Sequence, residues 1–142
     1  MNDTPTLSND AAMVLGLAGT AMPFAASPEE EAERWLRVLR LHGDVSASLQ
    51  ALGIGEVPIR GDDHEGELDV GGEGHHKAAE HEVVKNVTEH ATRSAQRRGA
   101  HTVGTIDVLI GAMEYYGEDF DRILQAYGTD RDEVLERVLA ER

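Results

Sequence analysis

The sequence predicts an all-α fold, on three observations. Apolar residues recur at three- and four-residue steps along most of the chain, the spacing of one buried helix face. Glycines at 43, 53, 99, 117 and 128 follow those stripes, where helices commonly end. The order of stripe and glycine also occurs twice, which predicts two pseudosymmetric helical repeats sharing one core. The 142 residues suffice for one domain with a real core, but not for an ATPase motor. We assign 1–142 to a single domain, with 7–54 as the first repeat, 55–76 as an acidic, glycine-rich linker and 77–142 as the second repeat.

Ser8 can cap a first helix running to about Ala21, with Ala11, Val14, Leu15 and Ala18 on one face. Ser27-Pro28-Glu29-Glu30 is a strong helix start, with Ser at the cap, Pro at the first helical position and an acid three residues on. That helix should reach about Leu41, burying Ala32, Trp35, Leu36 and Leu39 while Arg34, Arg37 and Arg40 stay on the polar side or snorkel. After Gly43, a short helix from Asp44 to Leu52 would bury Val45, Leu49 and Leu52. From 55 to 76 large apolar groups are scarce, so little burial offsets the ordering entropy. We expect a linker or mobile loop there, with 61–74 its most mobile part and Val57-Pro58-Ile59 and Leu68-Asp69-Val70 as possible short extended pieces. A long helix should then run from Lys77 to Arg98, with Ala79, Val83, Val87, Ala91 and Ala95 at helical spacing. Thr105 is the expected cap of a helix carrying Val108, Leu109 and Ala112, and Phe120, Ile123 and Leu124 mark the next. Thr129 or Asp130 begins a last helix with Val134, Leu135, Val138 and Leu139 inward.

Composition narrows the function. The balance of 27 acidic against 13 basic residues gives a formal charge of −14, which repels phosphate backbones and disfavours nucleic acid or anionic membranes as partners. Basic peptides or cationic small molecules fit better, although an acidic surface also simply keeps a small domain soluble. The apolar stretch Ala11–Ser27 looks like part of a secretory signal, but its flank carries Asp3 and Asp10 and no basic group. Broken by Gly16, Gly19 and Pro23, it is also too short to span a bilayer, so we read it as a core helix and loop. The absence of cysteine fits a reducing cytoplasm. No G-x-x-x-x-G-K-[ST] string is present to surround phosphate, and no nucleophile motif is recognisable. Histidines at 64, 75, 76, 81 and 90 invite a metal reading, but Lys85 stands where the second histidine of His-Glu-x-x-His should follow His81. The run Asp62–Glu67 lacks the alternating oxygen ligands and sixth-position glycine of a calcium loop. We therefore expect neither cofactor nor catalysis. Asn86-Val87-Thr88 meets the glycosylation pattern only formally, inside an expected helix, and Tyr115, Tyr116, Phe120 and Tyr127 should complete the core or line a groove.

The stretch Val103–Leu139, with its order of turn, helix, Gly, helix, Gly and helix, resembles one half of a Clp N-terminal domain. Leu36, Leu39, Gly43, Val45, Leu49, Leu52 and Gly53 correspond to Leu109, Ala112, Gly117, Phe120, Leu124, Tyr127 and Gly128, so the chain from Leu7 to Leu139 is similar to the double domain. The second half retains Val103-Gly104-Thr105 before its helix, whereas Glu31-Ala32-Glu33-Arg34 replaces the family's Gly-Thr-Glu-His turn in the first. The resemblance implies a non-catalytic module that binds proteins, as at the front of Clp-type AAA+ unfoldases. It would act here as a stand-alone adaptor, regulator or decoy whose partner is an unfoldase or its substrates. Because Clp N-terminal domains can be bound by cyclic peptide antibiotics, the alternative is a protein that sequesters such a compound. Some members bind phosphoarginine degrons through a Thr of the opening helix and the Glu of the Gly-Thr-Glu-His turn, a carboxylate suiting guanidinium by paired hydrogen bonds. By position Ser8 stands for that Thr and Glu33 for that Glu in the first half. In the second, Ile106 occupies the Glu position and His81 lies near the Thr position, which removes that site. A helix cap at Ser8 and a solvated acid at Glu33 are the alternative roles.

Overall fold

In the computed structural model, residues 4–54 and 73–140 are described. Their order is β1 (Thr6–Leu7), α1 (Asn9–Ala21), a 3-10 turn at Met22–Phe24, α2 (Pro28–Leu39) and α3 (Ser46–Ala51), then α4 (Glu73–Arg97), β2 (Thr102–Val103), α5 (Thr105–Tyr116), α6 (Glu118–Ala126) and α7 (Arg131–Ala140). The fold is all-α apart from β1 and β2, which pair in parallel with Thr6 opposite Thr102 and Leu7 opposite Val103.

Helix α5 is the centre of the arrangement because its sequence is apolar almost all round. Ile106, Val108, Leu109, Ala112, Met113 and Tyr116 are all buried, against α4 on one side and α2 on another. Close approach to α4 depends on Gly111: a Cβ there would lie 2.8 Å from the Ala91 nitrogen and 2.9 Å from the Val87 oxygen. Helix α2 fills the other side with Ala32, Trp35, Leu36 and Leu39, and also packs on α6, whose Phe120, Ile123 and Leu124 close the core. Helix α1 adds Ala11, Val14, Leu15 and Ala18.

The helix starts follow the expected capping chemistry at two points. The Ser8 Oγ accepts from the Ala11 amide at 3.0 Å, and the Ser27 Oγ from the Glu30 amide at 3.2 Å, while the Glu30 carboxylate accepts from the Ala26 amide at 2.8 Å. Elsewhere the boundaries move. Helix α2 stops at Leu39 rather than Leu41, and α3 covers only Ser46–Ala51. Helix α4 starts at Glu73, so the last four residues assigned to the linker are helical; 55–72, with the short extended pieces and most of the expected mobile stretch 61–74, lie outside the described residues. Thr105 is not a cap: Gly104 takes that place and Thr105 is the first helical residue, 2 % exposed. Its Oγ1 is directed across the molecule and accepts from the Asp44 amide at 3.1 Å. The two segments meet so closely that Gly43, at φ +87°, would place a Cβ 2.5 Å from the Thr105 Cγ2, so both conformation and space require glycine there. Helix α7 is capped by Asp130, whose Oδ1 accepts from the Glu133 amide at 2.8 Å. It buries Val134 and Val138, but Leu139 is 52 % exposed, against the inward position its spacing predicts.

Candidate functional site

The β1–β2 pair fixes the start of α1 beside the start of α5. The Thr6 amide donates to the His101 carbonyl at 3.1 Å and the Ser8 amide to the Val103 carbonyl at 3.0 Å. An open cleft of about 440 Å³ lies at this junction, within the usual range for ligand sites of roughly 300–1,000 Å³. Ser8 and Asp10 supply one wall, Asp44 from the α2–α3 connection another, and Arg98, His101, Thr102, Thr105 and Ile106 line the remainder.

A buried network anchors this region. Asp107 is fully buried and accepts four hydrogen bonds: from the Ser94 Oγ at 2.7 Å, from the Arg98 Nε at 3.0 Å, from the Arg98 Nη2, and from the Gly104 amide at 3.0 Å. Burial pushes the Asp107 carboxyl upward, but the hydrogen bonds and positive charge of Arg98, with Ser94 and Gly104, outweigh it and hold the group below its ordinary value. Arg98 is raised in turn, chiefly by its hydrogen bonds to Asp107. The network therefore ties the C-terminal end of α4 to the first turn of α5 and leaves Arg98 at the cleft with its charge offset. By contrast, the carboxylates of Asp10 and Asp44 are exposed and make no bond to another described residue.

Ser8 and Glu33, the positions singled out by resemblance, are engaged in different places. Ser8 lines the cleft, its Oγ occupied by the Ala11 amide. Glu33 is not among the lining residues; its Oε2 accepts from the Tyr127 hydroxyl at 3.0 Å. Ile106 does line the cleft, so the residue sharing Ser8's surroundings is the apolar one. His81 belongs to α4.

A second tyrosine makes a similar bridge from α5 to α2. The Tyr116 hydroxyl accepts from the Trp35 Nε1 at 3.0 Å and donates to the Glu31 Oε1 at 2.8 Å. Its acidity is suppressed by burial, and further by the charge and hydrogen bond of Glu31. Among the described residues no group of three or more His, Asp or Glu side chains is placed to hold a metal ion, and no helix is long and apolar enough to cross a membrane. Comparison with protein-family models, with curated proteins and with solved structures finds no match for this chain.

The anchoring role of Asp107 was not read from the sequence. The available signal was the pair Ser94 and Arg98, one helical turn apart at the end of α4, followed by an acid at the third position of α5. The cleft itself had no sequence signal, because it depends on the pairing of two strands of two residues each.

Proposed function

We propose that this chain is a non-catalytic, polypeptide-binding module built of two helical repeats and related to Clp N-terminal domains, acting as an adaptor, regulator or decoy in Clp-dependent proteolysis. The observation that carries the reading is the agreement of burial at the positions matched between the two halves. Leu36, Leu39, Val45 and Leu49 are each 0 % exposed, and so are their counterparts Leu109, Ala112, Phe120 and Leu124. The turns after them agree as well. The Gly53 amide donates to Gln50 and the Ile54 amide to Leu49, as the Gly128 amide does to Gln125 and the Thr129 amide to Leu124. Gly53 and Gly128 both hold positive φ, at 76° and 87°. This glycine turn also ends α4 at Gly99, so the support comes from the succession of matched positions and not from one turn.

For the phosphoarginine version, Glu33 would have to receive a guanidinium group at a carboxylate already accepting from Tyr127, and Ser8 would lie in the cleft with Ile106. Both points weigh against it, as does the acidic chain opposing a phosphate. Exposed apolar side chains on α1, Met13 at 50 % and Leu17 at 40 %, favour the second reading, capture of a cyclic peptide. Titration calorimetry against a Clp unfoldase of the native cell, a phosphoarginine peptide and a cyclic peptide antibiotic separates these versions. Saturable binding to the unfoldase supports the module; binding only to the antibiotic replaces it with sequestration.

A further inference from the structure

We propose that the cleft beside β2 receives an extended polypeptide segment carrying lysine or arginine, which continues the β1–β2 pair at Thr102 and sets its cationic side chains against Asp10 and Asp44. This rests on the reading of the chain as a polypeptide-binding module and names the kind of segment it takes.

The sheet edge is the first argument. In the parallel register observed, the ladder uses the His101 and Val103 carbonyls, which accept from Thr6 and Ser8. Alternation along a strand then turns the amide and carbonyl of Thr102, the residue between them, away from β1. Thr102 is exposed and lines the cleft, and from this we infer that its backbone pair is open to an added segment. An extended segment can satisfy both groups, as in other cases of strand addition, whereas a helix has already used its own amides and carbonyls internally.

Charge is the second argument. Asp10 and Asp44 stand on walls supplied by different elements, and neither carboxylate is bonded to another described residue. Among the described lining residues Arg98 is the one Lys or Arg, beside His101, and its charge is offset by the buried Asp107, which leaves the two carboxylates to favour cations. The formal charge of −14 extends that preference to encounter, drawing basic segments in and repelling acidic ones. Ala100 and Ile106 give the floor an apolar component suited to the stems of long basic side chains.

The test uses two short, end-capped peptides, one of alternating lysine and threonine and one of alternating glutamate and threonine, titrated by calorimetry into the full chain. The lysine peptide should bind saturably and weaken as salt rises, while the glutamate peptide should not bind. Asp10→Asn with Asp44→Asn should weaken binding at least tenfold, with the far-ultraviolet circular dichroism unchanged. Binding should also slow hydrogen exchange of the Thr102 amide. Failure of the lysine peptide, equal binding of the glutamate peptide, indifference to the double substitution or an unprotected Thr102 amide each overturns the inference. Unfoldase binding that persists alongside such a failure preserves the broader reading, whereas loss of both removes the foundation as well.

Discussion

Replacing Asp107 by Asn should destabilise the protein by about 2–4 kcal/mol near neutral pH. The carboxylate accepts from Ser94, twice from Arg98 and from the Gly104 amide, all donors converging on one buried group. Asparagine keeps the size but turns an amide nitrogen toward donors on one side, and it removes the partner of Arg98. Hydrogen bonds to charged groups contribute about 1.5–3 kcal/mol each, and breaking a buried ion pair costs about 3–5 kcal/mol. The lower range applies because the Arg98 side chain is 28 % exposed and can recover part of its hydration. The pH dependence follows from sign. The folded-state pKa of Asp107 is depressed below the usual carboxylate value of about 3.9, so its contribution is complete above that value and is lost as pH falls through the folded pKa. Urea unfolding of both proteins at about pH 7, 5 and 2.5 measures this directly. The difference in stability should be the same at the two higher values and shrink at the lowest. A near-neutral substitution, or a difference undiminished in acid, would refute the assignment of Asp107 as an ionised anchor.

Three other substitutions examine the remaining packing. Leu124→Ala, at a fully buried site on α6, should cost about 2–5 kcal/mol in denaturant unfolding; a near-neutral effect would place Leu124 outside the core. Gly111→Ala should cost about 1–3 kcal/mol, because its methyl group meets the α4 backbone at Ala91 and Val87, and unchanged stability would show that α4 can move away. Tyr116→Phe should cost about 1–3 kcal/mol by stranding the Trp35 Nε1 and removing one hydrogen bond to Glu31; unaltered stability and tryptophan fluorescence would show that the bridge does not stabilise the fold.

Helix identity and most of the core were legible because both depend on local periodicity. Val14, Trp35, Leu49, Phe120 and Val134 were identified as inward-facing from spacing alone, and each is fully buried. What escaped depends on contacts between distant segments. The Thr105 hydroxyl is spent on Asp44, sixty-one residues away, which no capping rule anticipates. Leu139 has the right spacing, but it lies in the last turn of α7 and is 52 % exposed, so periodicity alone does not report which end of a helix is covered. Glu33 was singled out by position as a ligand group or a solvated acid, yet a tyrosine of the other half donates to it. Pairing of Thr6–Leu7 with Thr102–Val103 defines the cleft, and two-residue strands carry no periodic signal.

The central claim, that this is a polypeptide-binding module of Clp-dependent proteolysis, is tested most directly by the degradation of a folded substrate by the native cell's Clp unfoldase and peptidase as this protein is added. The account predicts a saturable change in rate, slower for a decoy or regulator and faster for an adaptor, with calorimetric binding to the unfoldase or the substrate over the same concentrations. A rate unchanged at saturating protein, together with no binding to either, would contradict it.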